Sequence, residues 1–224
     1  MRLLARLVVI VGIPVFLVLT NVRLVMSEAY VRWEYSKPDF PLAQVLGPEV
    51  RYTAAVATVD YVRGARPVEA ITELSDGARL LYNQREIRHL VDARNVATLM
   101  LGVNILALVG IILAGMYLGR REGRYALLRA LRSGSLLTIL LLLGLAVLAA
   151  VNFNWFFTKF HQVFFEGGTW MFEWTDTLIQ LYPLPFWFDV TMLLAALTLF
   201  EALALSLVTW FLLTRDRTNT RKGL

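Results

Sequence analysis

No cysteine occurs anywhere in this chain of 224 residues. Disulfides, thiolate nucleophiles and the cysteine-rich zinc sites are therefore excluded. Histidine is nearly absent too: His89 and His161 are the only two, and no His-Glu-x-x-His string exists. Charge is scarce across four long stretches, and neither an internal repeat nor a low-complexity tract is visible.

What is abundant is apolar mass. Hydrophobic residues make up 58% of the chain, too many for a soluble domain of this length. A helix needs roughly 20 predominantly apolar residues to cross a hydrocarbon core. Four runs qualify, at about residues 7–26, 95–118, 134–152 and 190–214. The expected fold class is an all-α membrane protein: four transmembrane helices in a single integral membrane domain, with a small mixed extracytoplasmic cap from residues 27–94 and 153–189. The first run begins like a secretory signal, with Arg2 and Arg6. It outlasts a signal's apolar core and no small-x-small cleavage site follows before Arg23, so it is expected to remain as a span, kinked at Pro14.

The net charge of +5 has a membrane explanation, and no nucleic-acid partner is expected. Arg2 and Arg6 precede the first span. Arg120, Arg121, Arg124, Arg129 and Arg132 crowd the link between the second and third, and Arg215, Arg217, Arg221 and Lys222 follow the fourth. All three clusters fall on one side of a four-span chain, which the positive-inside tendency makes the cytoplasm. Both termini are then cytoplasmic and both cap segments lie outside a bacterial cytoplasmic membrane.

In the first cap segment, Val31, Trp33 and Tyr35 alternate with Arg32 and Glu34, a period-two pattern that suggests a short strand. Residues 48–62 fit a helix better, and GARPVEA marks a stop and a proline-led restart. Within the spans, Glu201 and Asn104 fall at similar depth, which predicts that they are neighbours joining two helices.

The first cap segment ends in LYNQREIRHLVDARNV and runs directly into the second span. His89 and Asp92, three apart, share a helix face, and His89 stands about two turns before the span. His161 follows the third span by about ten residues, so the two histidines can meet at the outer interface. Around His161, residues 152–188 hold about half of the chain's aromatic residues. Span ends need only a few such rings as an interfacial belt. Phe160, Phe164, Trp170, Phe172 and Trp174, with turns and carboxylates among them, instead suit a pocket for acyl chains and a reactive ester.

Three readings follow from these residues. His89 and His161, with Asp92 or Asp176 orienting an imidazole, can perform acid and base catalysis on a membrane lipid substrate. The same four residues are permitted ligand types for a divalent metal in a lipid hydrolase. Alternatively, the chain is a four-helix scaffold whose aromatic loop anchors in lipid.

KFHQVFFEGGTWMFEWTDTLIQLYPLPFWF resembles the signature loop of the bacterial lipoprotein intramolecular transacylases and their uncharacterised relatives. QREIRHLVDARNV resembles that family's second motif, in which a histidine followed three residues later by aspartate precedes the second span; Leu90 and Ala93 stand where Met and Val are expected. The likeness, topology included, covers nearly the whole chain. It implies an acyltransferase acting on a diacylglyceryl-modified lipoprotein N-terminus. The sn-2 acyl chain would move to the cysteine α-amino group, giving a lyso-form lipoprotein. It further implies that His161 and His89 are catalytic, with His161 as base and His89 as acid or oxyanion donor, or the reverse. Asp92, Asp176 and Arg85 would support them, and neither cofactor nor metal would be required.

Overall fold

In a hydrocarbon environment a backbone must satisfy its own hydrogen bonds, which long apolar runs do as helices. The computed structural model describes residues 1–165 and 167–222, with side chains as far as Arg215. Its elements are α1 (Arg2–Val25), α2 (Glu28–Tyr35), α3 (Pro48–Val62), α4 (Glu69–Thr72), α5 (Gln84–Arg121), α6 (Arg124–Val151), α7 (Phe153–Phe164), α8 (Thr177–Leu181) and α9 (Leu184–Lys222). Helices α1, α5, α6 and α9 are long and apolar enough to cross a membrane, and each overlaps one of the four expected runs. Arg217, Arg221 and Lys222, part of the expected third basic cluster, lie outside the described side chains.

The chain divides into two compact units. The first comprises Met1–Asn21, Leu101–Val147 and Leu194–Leu224. Its core is small: Val9, Ile13, Leu118 and Ala130 meet where α1, α5 and α6 pack. Large apolar side chains point outward instead, among them Leu106, Leu140 and Phe200, each about two-thirds or more exposed. Such a surface suits lipid, not water. The close approach of helices depends on glycine. A Cβ on Gly134 would stand 2.9 Å from Ile13 and 3.2 Å from the Ile10 carbonyl oxygen. Pro14, four residues after Ile10, has no N–H to give that carbonyl.

Polar groups in this unit hold α1 to its neighbours. Asn21 donates to Thr198 at 3.0 Å and to Glu201 at 2.8 Å, while Asn104 donates to the Phe16 carbonyl at 3.0 Å and to Thr20 at 3.1 Å. The expected pairing of Asn104 with Glu201 is therefore corrected: each bonds to α1. Depth in a span is readable from sequence, but the partner is not, because spacing does not say which neighbouring helix a polar side chain faces. Arg6 forms an ion pair with Glu122.

The second unit comprises Val22–Met100 and Leu148–Leu193. The strand expected at Val31 to Tyr35 is a helix. The Ser27 side chain accepts from the Tyr30 N–H at 3.3 Å and so caps α2, and Tyr30 donates to Glu34 one turn on at 3.0 Å. Its buried positions, Tyr30, Val31 and Glu34, are helically spaced, which defeats the alternation seen in sequence. Among the described residues the β-pairing is one isolated bridge, Ser75 to Leu80, so the cap is helical, not mixed. Helix α3 starts at Pro48 as expected, and after Gly64, at φ +83°, the chain restarts toward α4.

The core of this unit gathers Tyr30, Ala54, Ala55, Tyr61, Leu181 and Phe186 from α2, α3, α8 and α9. Arg51, buried, donates to the carbonyls of Gln180 at 2.8 Å and Pro41 at 2.7 Å, with its guanidinium against Tyr35 and Phe40. Lys37 bridges Glu34 at 2.9 Å and Asp189 at 2.7 Å. These bonds tie α8 and the start of α9 to the rest of the cap.

Glycine packing in the first unit is directly testable. Gly134→Ala should destabilise the protein in detergent by about 1–3 kcal/mol, as overpacking does. Gly144→Ala should not, because nothing lies within 4 Å of its added Cβ. Thermal unfolding midpoints of the two variants give the comparison.

Candidate active site

Two helix starts place the histidines. Asn83 precedes α5, and its side chain accepts the N–H groups of Arg85 and Glu86, both at 3.0 Å. Glu86 returns the bond, accepting the Asn83 N–H at 2.9 Å, a reciprocal cap of the Asn-x-x-Glu kind. The other Glu86 oxygen accepts the Leu178 N–H of α8 at 2.8 Å. Glu86 is 1% exposed, and burial raises its carboxyl above the ordinary value, opposed by these backbone N–H groups. The start of α5 is thus fixed against α8, and His89 lies one turn further on. Helix α7 is capped by Asn152, which accepts the Trp155 N–H at 2.9 Å, and carries His161 on its buried face.

The two imidazoles stand 6.2 Å apart, centre to centre, with planes 22° from parallel. Phe165 and Phe172 meet His89 at 4.7 and 5.4 Å, and Phe157 and Trp170 meet His161 at 4.1 and 4.9 Å. Both rings line a cavity of about 240 Å³, together with Phe157, Trp170, Phe172 and Trp187. That volume is near the low end for ligand pockets and suits one reactive group with part of a chain.

His161 Nδ1 is 2.8 Å from the Phe157 carbonyl oxygen. A carbonyl only accepts, so Nδ1 carries the proton and Nε2 keeps its lone pair. Burial lowers the His161 pKa below its usual value, partly offset by that bond. Burial, with a smaller contribution from His161, lowers His89 to about 4. Both rings are therefore neutral near pH 7. A neutral imidazole with a free Nε2 is a general base, and a neutral N–H beside it is a donor.

The supporting carboxylates do not sit where sequence suggested. Among the described residues no hydrogen bond or ion pair joins Asp92 to His89, whose Nδ1 is buried without a partner. Asp176 is taken up elsewhere: Arg85 donates to it at 2.8 Å, Asn83 at 2.9 Å and the Glu173 N–H at 2.8 Å. A helix puts residues three apart on one face, but it does not aim their side chains at each other. His89, Asp92, His161 and Asp176 accordingly do not form one ligand set, and no group of three or more His, Asp or Glu suited to a metal occurs among the described residues. Arg85 lies over Phe172, 5.6 Å from its centre, one ring removed from His89.

Of the expected pocket rings, Trp170 and Phe172 line the cavity. Phe160, Phe164 and Trp174 do not, and Trp174 is 74% exposed. Phe160 meets Phe164 in a tilted contact, 4.8 Å centre to centre, on the exposed side of α7. Sequence reading missed Glu86, Phe157, Phe165 and Trp187. The Asn-x-x-Glu spacing ahead of an apolar run was a usable signal for Glu86, and Phe157, one turn before His161, could have been placed on its face.

Comparison with known proteins agrees with this architecture. A sequence model of the family described as lipoprotein intramolecular transacylase Lit matches residues 7–187. An uncharacterised protein of Aquifex aeolicus is 30% identical over 202 residues, covering 88% of this chain and 89% of that one. The solved structure of the membrane-integral lipoprotein intramolecular transacylase of Bacillus cereus superposes with a TM-score of 0.78 at 21% identity, covering 97% of this chain and 98% of that one. A variant of that enzyme with a histidine replaced by alanine superposes at 0.71 and 20% identity, covering 97% and 96%.

The two-histidine composition makes the protonation states measurable. In protein labelled with ¹⁵N-histidine, NMR should show two neutral rings at pH 6.5, His161 as its Nδ1–H tautomer, and His89 charging only near pH 4. A depressed base contributes stability that is complete above the unfolded value of about 6.5 and is lost as pH falls through the folded value. A charged ring at pH 6.5 would contradict the buried geometry.

Proposed function

Because this chain belongs to the lipoprotein intramolecular transacylase family, we propose that its two histidines carry out the transfer inside the cavity they line. It is a multi-pass membrane enzyme that acts on lipoproteins. The substrate is a diacylglyceryl-modified lipoprotein N-terminus, whose sn-2 acyl chain moves to the α-amino group of the same cysteine. The basic clusters support cytoplasmic termini and a site at the outer leaflet, among membrane lipids.

His161 is the base. An α-amine has a pKa of about 7.7–8 and attacks only as the free amine. Its nitrogen adds to the ester carbonyl carbon, and His161 Nε2 takes the proton it releases. The carbonyl electron pair moves to oxygen, then returns as the bond to the glyceryl oxygen breaks. That oxygen receives the proton, leaving an amide and a free hydroxyl. Amine and ester belong to one molecule, so the transition state closes a ring of about eight atoms. Holding both ends in register can supply roughly 7–11 kcal/mol, a task that suits stiff aromatic walls. Neither cofactor nor metal has a step to perform in this scheme.

The observation that carries this reading is the pair of imidazoles 6.2 Å apart in one aromatic cavity, with His161 buried and its Nδ1 pinned by the Phe157 carbonyl. In a bacterium lacking such activity, the wild-type chain should convert diacyl lipoproteins to the lyso form, detected by mass spectrometry of their N-terminal peptides. His161→Ala should reduce conversion by about 10²–10⁴-fold, and His89→Ala should impair it, with both variants still inserted. Unchanged conversion in both would remove the mechanism.

A further inference from the structure

One hydrogen-bond donor at this site has no partner among the described residues. Trp170 Nε1 is sealed from solvent and has no acceptor among the described residues, and His89 Nδ1 is likewise buried without a partner. A buried donor left unpaired costs about 1–3 kcal/mol, and native proteins carry few of them. The contrast with Trp187 is informative. That ring lines the same cavity, and its Nε1 donates to the Tyr182 carbonyl at 3.0 Å. The fold thus satisfies one indole of the cavity and leaves the other open.

An indole N–H donates and never accepts, so only an arriving oxygen can complete it. In the reaction proposed above, the oxygen that gains charge is the former ester carbonyl. The attacking nitrogen must lie within hydrogen-bond reach of His161 Nε2, and its target carbon about 3–3.5 Å further on before bonding. The Trp170 ring is 4.9 Å from the His161 ring, centre to centre, and lines the same cavity. Trp170 follows the Gly167–Gly168 turn, where Gly168 has φ +86° and a Cβ on Gly167 would meet nothing within 4 Å. Exclusion from water also matters, because a fixed donor stabilises an oxyanion most where water does not compete.

We propose that the Trp170 indole N–H is a catalytic donor that binds the oxyanion formed when the cysteine amine adds to the sn-2 ester. This rests on the transacylase reading and assigns Trp170 a role beyond lining the cavity. The bonds made and broken are those already given: C–N forms, the carbonyl pair rests on the oxygen held by Trp170, and the bond from carbonyl carbon to glyceryl oxygen then breaks. The glyceryl oxygen takes the proton that left the amine.

The test uses the full-length protein in detergent with a synthetic dipalmitoylglyceryl-cysteinyl peptide, following the N-acyl product. Trp170→Phe removes the N–H and part of the ring. Benzothienylalanine at position 170 keeps the ring shape and replaces N–H by sulfur. Losing an oxyanion donor should lower kcat by about 10²–10³-fold in both, with KM within a few-fold of wild type. Wild-type kcat with benzothienylalanine would overturn the proposal, whether or not Trp170→Phe is slow, since only packing would then be at stake. If the wild type and these variants are equally fast while His161→Ala is inactive, the donor role falls and the histidine mechanism stands. An inactive wild type removes both.

Discussion

The site depends on one buried carboxylate. Glu86 accepts the N–H of Asn83 with one oxygen and that of Leu178 with the other, joining the start of α5 to the start of α8. His89 is three residues beyond it on α5, so the height and rotation of that imidazole are set by this bond. The other wall is set from α7, where the Asn152 cap and the bond from His161 Nδ1 to the Phe157 carbonyl fix position and tautomer together. Neither histidine needs a carboxylate to orient it. A buried carboxylate is costly unless its oxygens are satisfied, and backbone N–H groups do that here.

Enclosure by rings then sets the chemistry. Phe157, Phe165, Trp170 and Phe172 surround the imidazoles, and their apolar faces disfavour the charged form of each histidine. A base that stays neutral is available to take a proton from an amine near pH 7. The same walls leave little room, about 240 Å³, which in the proposed reaction would hold the two ends of a substrate close together. Positioning, more than reactive groups, carries the rate in such a site.

Much of this was legible in the sequence, for definable reasons. The four spans follow from length and apolarity alone, which no packing detail overrides. The meeting of His89 and His161 followed from counting residues from span ends on one side of the membrane. What escaped were choices between partners. Among the described residues Asp92 forms no hydrogen bond or ion pair with His89, Asp176 pairs with Arg85, and Asn104 and Glu201 each bond to α1. Side-chain pairing depends on rotamer and local backbone, which spacing does not encode. The alternation of Val31, Trp33 and Tyr35 suggested a strand, but the Ser27 cap and the Tyr30 to Glu34 bond were the stronger local signals. Phe160, Phe164 and Trp174 looked like pocket residues because composition alone cannot say which face of α7 or of its loop is turned inward.

The central claim is that one cavity holds both the amine and the ester of a single molecule. An isotope crossover experiment tests it most directly: a lipopeptide with a deuterated sn-2 chain is mixed with an unlabelled lipopeptide of different peptide mass, and the N-acyl products are analysed by mass spectrometry. Each product should retain the label of its own parent. Label scrambled between the two peptides would mean that the acyl chain leaves its molecule of origin, and the account built on this cavity would be wrong.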